Sequence, residues 1–265
     1  MSTEVYQERF GGIARLYGER EVAWLEAAHI CVIGIGGVGS WAVEALARSG
    51  IGEITLIDHD DISASNSNRQ LHTLESTVGR SKVAVMAERV KAINPECRCH
   101  PIDDLLVEAT IERYLDQNYD YVIDAIDSIS HKAAMINYCR RNKIPIITTG
   151  GAGGLSDPTA IEIADLSKTY NDPLAAKVRS TLRSRYGYTN NPKRRFSVEC
   201  VFSSEQQVYP KPDGSVCQRK PGVKGATLDC NYGYGSATFV TAGFGFAAVS
   251  RVIRKLIERR IRELK

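Results

Sequence analysis

The glycine-rich stretch CVIGIGGVGS at residues 31–40 has the composition of a nucleotide-binding turn. Within it, GIGGVG fits the pattern G-x-G-x-x-G and follows an apolar run. Glycines at these positions permit a tight turn whose main-chain N–H groups approach a phosphate at the start of a helix. The turn would be formed by Gly34, Gly36, Gly37 and Gly39. A dinucleotide and ATP both suit such a turn, so the class of nucleotide depends on other residues.

A second set of polar side chains follows the apolar run EITLID. Asp58 ends this run, 19 residues beyond Gly39, where a carboxylate accepts hydrogen bonds from ribose hydroxyls. Two cations follow, Arg69 and Lys82, which suit the charge that develops on a triphosphate when its α-phosphorus is attacked. A dinucleotide does not need both, so these residues favour ATP. The residues expected to contact the nucleotide here are Asp60, Asn66, Asn68, Arg69, Gln70 and Lys82.

A third candidate lies in DAIDS at residues 124–128. This motif follows another apolar run, and parallel sheets bind ligands at the carboxyl ends of their strands. Carboxylate oxygens are suitable ligands for Mg²⁺. A carboxylate of this motif could therefore hold Mg²⁺.

The elements that must position these residues alternate between strand and helix. Short apolar runs predict strands at HICVIGIG, EITLID, CRCHPI, YVIDAI and IPIITTG, with helices between them over 37–49, 81–93, 108–115 and KAAMINYCRRN. This alternation predicts an α/β fold with a doubly wound, mostly parallel, Rossmann-like sheet. We expect one domain over 1–265, in which 1–160 form the nucleotide-binding core.

The second part, 161–265, is expected to complete the fold. We predict a strand in TAIEIADL, a helix over 173–186, one or two strands in FSVECVFSSEQQVYP, and a loop over 211–230. A long final helix is predicted over 238–264. The uncharged segment at 233–250 is too weakly apolar to predict a membrane span, although the basic amphipathic end of the helix leaves peripheral membrane contact open.

Charge is distributed unevenly along the chain. Residues 1–167 contain 15 Lys and Arg against 24 Asp and Glu, a balance of −9, whereas residues 168–265 contain 19 against 7, a balance of +12. Such asymmetry indicates that the second part meets a polyanion. Cations near 177–195, 211–224 and 251–265 could contact nucleic-acid phosphates, which would give affinity rather than sequence readout.

The seven cysteines include no C-x-x-C pair. An odd number of thiols without a signal peptide indicates a reducing, cytoplasmic compartment. A structural Cys₄ zinc site is not expected. Cys230, in TLDCNYGYGS, is the thiol that could accept sulfur or contact a partner, although an ordinary structural cysteine is the simpler interpretation.

Four motifs, GIGGVGS, LIDHDDISASNSNRQ, VGRSKV and DAIDS, resemble those of the ubiquitin-activating enzymes and their ThiF and MoeB relatives. The resemblance covers residues 20–160 in the family's order and implies that a substrate carboxylate is activated as an acyl adenylate. It also implies that the glycines cradle the nucleotide, that Asp58 holds the ribose and that Asp127 binds Mg²⁺. By the same resemblance, phosphates are contacted by Asn66, Arg69 and Lys82. Many members use an N-terminal arginine that reaches the partner subunit's ATP; Arg9 and Arg15 are the candidates, and Arg15 is preferred.

A closer resemblance extends over nearly the whole chain. RFGGIARLYG, RRNKIP, TTGGAGG, DPLAAKVR, VFSSE and GSATFVTAGFGFAAVS are similar to segments of the bacterial tRNA threonylcarbamoyladenosine dehydratases. This implies an ATP-dependent ligase-type enzyme that activates the threonyl carboxylate of N6-threonylcarbamoyladenosine (t6A) at tRNA position 37. Intramolecular attack then closes a ring, giving cyclic t6A with net loss of water. The resemblance also implies a homodimer and a link to a cysteine desulfurase with its sulfur acceptor protein.

Three other hypotheses compete with this one. Adenylation of a sulfur-carrier protein is disfavoured by the missing cysteine pairs and by the basic second part. A nicotinamide dehydrogenase is disfavoured by Arg69, Lys82 and Asp127. A non-catalytic sulfur-relay partner is disfavoured by the intact ATP-binding motifs.

Overall fold

The computed structural model describes residues 3–211, 213–218 and 235–265, and within them one seven-stranded sheet dominates the architecture. The spatial order of the strands is β3-β2-β1-β4-β5-β7-β6. All neighbours in this sheet are parallel except β6 and β7, which are antiparallel. The strands are β1 (His29–Ile33), β2 (Glu53–Asp58), β3 (Arg98–Asp103), β4 (Tyr121–Asp124), β5 (Ile146–Thr149), β6 (Ile161–Asp165) and β7 (Glu199–Ser203).

Helices cover both faces of this sheet, as the doubly wound prediction requires. One face packs against α3 (Gly39–Arg48), α4 (Lys82–Ile93) and α8 (Thr238–Glu263), and the other against α5 (Ile111–Leu115), α6 (Ile129–Arg141) and α7 (Pro173–Tyr186). Two further helices precede β1: α1 (Glu4–Tyr17) and α2 (Glu19–Glu26). The predicted mostly parallel α/β fold with a long final helix is therefore confirmed.

Burial on both faces explains the continuous apolar strands. The residues 30–33 of β1 are each at most 1% exposed, and they alternate between the two apolar clusters on opposite sides of the sheet. A strand buried on both sides needs apolar residues at every position rather than at alternate ones. The edge strand β3 lacks this pattern and keeps several exposed polar residues.

The uncharged first half of α8 packs tightly against α3. A Cβ atom on Gly245 would lie 2.8 Å from Val38 O and 2.9 Å from Ala42 N, so only glycine permits this approach. Small residues therefore serve helix packing here, in agreement with the predicted buried helix. Within the residues described, no helix is both long and apolar enough to cross a membrane.

Some elements differ from the sequence prediction. Helices α1 and α2 were not predicted, and α5 is shorter than the expected 108–115. The expected loop over 211–230 contains a two-residue strand, β9 (Val216–Cys217), which pairs antiparallel with β8 (Tyr209–Pro210) because the chain turns back between them. The predicted loop position of Cys230 lies outside the described residues, as do three of the cations predicted to contact phosphate, Arg219, Lys220 and Lys224.

Candidate functional site

The glycine turn lies at the carboxyl end of β1, where the strand order changes direction between β1 and β4. Gly34 has φ +85°, and a Cβ on Gly39 would lie 1.7 Å from Gly34 O. Other residues could not adopt this turn without moving the main chain. The helix that follows, α3, begins without a side-chain cap, and although Ser40 N donates to Gly36 O at 3.1 Å, such a start can bind an anion through its other first-turn N–H groups.

Asp58 joins the glycine turn to the loop that follows β2. Its Oδ2 accepts a hydrogen bond from Ile35 N at 2.6 Å, and its Oδ1 accepts one from Asp60 N at 2.9 Å. The side chain stays partly exposed. The residue predicted to hold the ribose therefore lies directly beside the turn predicted to hold the phosphates.

Lys82 and Asp60 form an ion pair at the start of α4. Lys82 Nζ lies 2.6 Å from Asp60 Oδ2, with the lysine only 5% exposed. Burial tends to raise the pKa of Asp60, but the hydrogen bond and charge of Lys82 outweigh it and hold that pKa below its ordinary value. A buried ammonium with one partner keeps donors in reserve for a phosphate, because it carries three N–H groups.

The three loop residues Asn66, Asn68 and Arg69 make contacts within the protein. Asn66 Oδ1 accepts from Ser63 N at 3.0 Å, and Asn68 Nδ2 donates to Ser236 O at 2.9 Å. Arg69 Nη1 donates to Ser65 O at 3.1 Å and to Asn68 Oδ1 at 3.0 Å. In this structure these side chains shape the loop, and within the described residues only Nη1 of Arg69 is engaged, which leaves its other N–H donors for a phosphate.

The main chain of the same loop is fastened to both neighbouring helices. Arg69 O accepts hydrogen bonds from Trp41 Nε1 at 3.1 Å and from Thr241 Oγ1 at 3.3 Å, and Thr238 Oγ1 donates to Asn68 O at 2.6 Å. The start of α8 therefore supports the loop between β2 and α4. Nothing in the sequence pattern indicated this support.

Buried polar atoms without partners concentrate around the turn. Along 70–81, the atoms that find no partner among the described residues are Gln70 Oε1, His72 Nδ1, Thr73 Oγ1 and Ser81 Oγ. His72 Nε2 donates to Ile35 O at 2.8 Å, and burial lowers the pKa of this histidine, which favours the neutral ring. Unpaired buried polar atoms are costly in a closed core. Their concentration at the glycine turn, together with an uncapped helix and a buried lysine, fits a polar, phosphate-bearing ligand such as ATP.

The loop carrying Asp127 meets the glycine turn at the adjacent strand. A Cβ on Gly34 would lie 2.9 Å from the carbonyl carbon and oxygen of Ala125, so the two loops are in close contact. Asp127 itself is exposed in the segment between β4 and α6. An exposed carboxylate beside a phosphate site suits Mg²⁺, which usually keeps several waters and takes one or two protein carboxylates.

Sequence reasoning missed a buried ion pair beneath this loop. Asp124 is fully buried, with Lys132 Nζ 2.8 Å from its Oδ1, while its Oδ2 accepts from Thr148 Oγ1 at 2.6 Å. Burial raises the pKa of Asp124, an effect that Lys132 and Thr148 oppose. Asp124 Oδ1 also accepts from Ile126 N at 3.3 Å. One signal for this pair was present in the sequence. Lys132 lies on the apolar side of α6, and a buried lysine is rarely left without a partner.

Arg15 is not brought to this site within one chain. Helix α1 is anchored beside the amino end of β2, where Tyr6 Oη donates to Gly50 O at 2.6 Å and Arg9 Nη1 donates to Ile93 O at 3.3 Å. Arg15 is exposed in the last turn of α1. The other predicted residues gather at the carboxyl ends of β1, β2 and β4.

Comparison with known proteins gives matches over the full length. A model of the ThiF family matches residues 11–263. The chain is 54% identical to the Escherichia coli protein named tRNA threonylcarbamoyladenosine dehydratase, over 98% of each chain. It is 57% identical to the Haemophilus influenzae protein of the same name, over 96% of this chain and 95% of that one.

Solved structures of the Escherichia coli protein, TcdA, are also similar. The complex with ATP matches with a TM-score of 0.89 at 51% identity, covering 99% of each chain. The complex with AMP matches with a TM-score of 0.87 at 50% identity, covering 98% of each chain.

Proposed function

The chain belongs to the ThiF family and, within it, to the tRNA threonylcarbamoyladenosine dehydratases, and on that premise we propose that it converts t6A in tRNA to cyclic t6A with ATP. The geometry of the site in this chain supports the proposal in addition to the family membership. The uncapped start of α3, Asp58 and the buried Lys82 converge on the glycine turn, where partnerless buried polar atoms also gather. This arrangement supports an ATP site in this chain.

The proposed reaction has two steps that balance. A threonyl carboxylate oxygen attacks the α-phosphorus of ATP, and pyrophosphate leaves. A nucleophile of the same t6A group then attacks the activated carbonyl carbon, AMP leaves with that oxygen, and the nucleophile loses its proton. The sum removes one water from t6A, and the enzyme needs no nucleophile of its own because proximity favours ring closure. The AMP complex of the Escherichia coli relative supports AMP as the product.

Each residue at the site has a proposed part in this chemistry. The N–H groups of the glycine turn bind phosphate oxygens, and Asp58 accepts from the ribose hydroxyls. Lys82 stabilises charge on the phosphates, together with the N–H donors of Arg69 that the loop does not engage. The remaining proposed nucleotide contacts are Asp60, Asn66, Asn68 and Gln70. Asp127 would hold Mg²⁺, which when bound neutralises phosphate charge.

We also propose a homodimer. Phe239 and Phe246 on α8 are 56% and 46% exposed, and Phe246 lies edge-on to Trp41 with ring centroids 6.0 Å apart. Large exposed apolar side chains on one helix are typical of an interface. In such a dimer Arg15 would serve the partner's nucleotide. A link to a cysteine desulfurase and a cytoplasmic location complete the proposal.

The division of the chain supports one domain with two tasks. Residues 1–160 supply the turn, the loop after β2 and the Asp127 loop. Residues 161–265 add β6 and β7 to the same sheet, place α8 against it and carry the basic surplus. We propose that this second part completes the fold and contacts tRNA.

Adenylation of a sulfur-carrier protein remains the less supported function. The sequence contains no C-x-x-C pair, and its similarity to the tRNA dehydratases extends through the basic second part.

The test uses t6A-containing tRNA, ATP and Mg²⁺ with the wild-type protein, with Asp127→Ala and with Asp116→Ala. Asp116 is an exposed carboxylate at the end of α5, so its variant controls for the charge change. We expect wild type and Asp116→Ala to lower the nucleoside mass by one water, and Asp127→Ala to fail while melting normally. An unchanged mass with wild type, with tRNA bound and ATP intact, would refute the catalytic proposal.

A further inference from the structure

A cavity of about 560 Å³ lies outside the nucleotide site, between the ends of α6 and α7. Helix α6 starts beside the Asp127 loop and runs for 13 residues to Arg141, so the cavity lies about 20 Å from that loop. Its volume is that of a small-molecule pocket and would admit one nucleotide. It is lined by Asn137, Arg140, Arg141, Arg185, Tyr186, Gly187, Tyr188 and Phe196.

The lining of this cavity is strongly positive. It contains three arginines and no carboxylate. Arg185 is paired with Glu108 at 2.6 Å, whereas Arg140 and Arg141 are exposed and have no carboxylate partner within the described ranges. The carbonyl end of α6 favours a nearby cation. The two unpaired arginines beside a third nevertheless leave an excess of positive charge, which attracts an anion into the cavity.

The aromatic part of the lining points to a base rather than to a bare anion. Tyr188 is partly exposed and packs edge-on against Phe196, which is only 4% exposed, with ring centroids 5.0 Å apart. The Arg185 guanidinium lies 5.5 Å from the Tyr186 centroid. Unpaired bases stack on aromatic rings and on guanidinium planes, and their phosphates bind arginine.

We propose that this cavity, which we term the α6–α7 cavity, binds an unpaired nucleotide of the tRNA substrate, with phosphate on Arg140 and Arg141 and the base on Tyr188. The proposal rests on the proposed function for the identity of the RNA. It adds α6 to the predicted basic contacts near 177–195.

The experiment compares tRNA binding by two double variants that lose the same charge. Arg140→Ala/Arg141→Ala removes the cavity cations, and Arg20→Ala/Lys91→Ala removes two exposed cations elsewhere. Dissociation constants for labelled tRNA are measured over a salt series. We expect the first variant to bind at least tenfold more weakly, with the slope of log K against log salt reduced by about 0.7 to 0.9, since the two arginines share one phosphate and each neutralised phosphate contributes about that much. The control should change little.

A third variant separates stacking from charge. Tyr188→Leu should weaken tRNA binding about tenfold without changing the salt slope, because base stacking is not a counterion effect. Equal losses in both double variants would overturn the proposal. Unchanged tRNA affinity of the first double variant, together with binding of AMP or inorganic phosphate at the cavity, would also overturn the proposal. That result would make the cavity a small-anion site. Binding is scored without turnover, so a failure of the dehydratase assay would leave this result readable on its own.

Discussion

At the residue scale, the buried Lys82 is the cation that the nucleotide site holds ready. Its burial and its 2.6 Å contact with Asp60 leave it able to redirect N–H donors to a phosphate. Lys82→Met keeps most of the side-chain volume and removes the charge. We expect turnover to fall by about 10²- to 10³-fold, as when one preorganised donor is removed.

The matched control for this prediction lies on the same helix. Lys91→Met removes an exposed ammonium near the end of α4 and should leave turnover unchanged. The measurement is the single-turnover rate at saturating ATP, together with the melting temperature of each variant. Equal rates for Lys82→Met and the wild type would exclude Lys82 from the reaction.

A second prediction at this scale concerns the glycine turn. Gly39→Ala would place a methyl group 1.7 Å from Gly34 O, which forces the main chain to move. We expect a loss of about 1–3 kcal/mol in the free energy of unfolding, typical of overpacking, and weaker nucleotide binding. Urea denaturation measures the first and nucleotide titration the second.

Gly12→Ala is the control for that substitution. A methyl group on Gly12, inside α1, would meet nothing within 4 Å, so alanine should stabilise the protein by about 0.5–1 kcal/mol. A Gly39→Ala variant as stable as the wild type would show that the turn relaxes more easily than its contacts indicate.

The sequence predicted which residues lie at the nucleotide site better than it predicted their hydrogen-bond partners. The spacing of Gly34, Gly39 and Asp58 placed them correctly at one edge, because adjacent parallel strands end together. The contacts of Asn68 and Arg69 within the loop could not be predicted, since Ser236 and Thr241 come from about 170 residues away in the sequence.

At the element scale, α6 is fixed to the sheet by the pair of Lys132 and Asp124. Both side chains are at most 1% exposed, and Thr148 on β5 hydrogen-bonds to both of them. Lys132→Met would leave the Asp124 carboxylate buried without its cation. We expect unfolding free energy to fall by about 3–5 kcal/mol, because breaking a buried pair costs more than removing it whole.

The double variant Asp124→Asn/Lys132→Met tests that explanation. Replacing both charges should restore part of the lost stability, as measured by urea denaturation alongside the single variant. If the single variant lost less than about 1 kcal/mol, the pair would matter little to folding and Asp124 would be neutral in the protein.

Periodicity identified the elements of the parallel sheet and missed those defined by tertiary contacts. Apolar runs bounded by turns located β1, β2, β4 and β5, because strands buried on both faces need such runs. Helices α1 and α2 carry fewer apolar residues, and only Tyr6, Phe10, Val22 and Leu25 are buried there. The antiparallel direction of β6 depends on a return of the chain that its own residues do not encode.

At the scale of the whole molecule, one buried and one partly buried histidine predict how stability depends on pH. Burial lowers the pKa of His72 below the ordinary 6.5, and it does the same for His29, where Glu53 and Asp120 oppose it while His100 and Arg98 add to it. Below pH 6.5 the unfolded chain therefore binds protons that the folded chain does not. The stabilising contribution of the two neutral histidines is therefore fully present above pH 6.5. As the pH decreases below 6.5, the free energy of unfolding decreases by up to about 1.4 kcal/mol per pH unit for each histidine.

The measurement is the free energy of unfolding between pH 7.5 and 5.5. His72→Gln retains a donor for Ile35 O and cannot titrate, so it should reduce the pH slope by about one proton. A wild-type slope near zero would show that both histidines accept protons in the folded protein.

The charge imbalance also belongs to the whole molecule. The sequence shows that the basic surplus lies in residues 168–265. The α6–α7 cavity, however, is also lined by Arg140 and Arg141, which belong to the acidic residues 1–167. Only folding brings these two residues beside the end of α7, so linear charge counts could not predict the composition of the cavity.

The anchoring of the loop at Asn68 and Arg69 by the start of α8 has a consequence for protein synthesis. A ribosome makes the glycine turn and this loop early, yet their supports, Ser236, Thr238 and Thr241, emerge only after most of the chain. The nascent protein therefore holds its nucleotide loop unsupported for most of translation. Competence to bind ATP should therefore arise late in synthesis, once the start of α8 has been made.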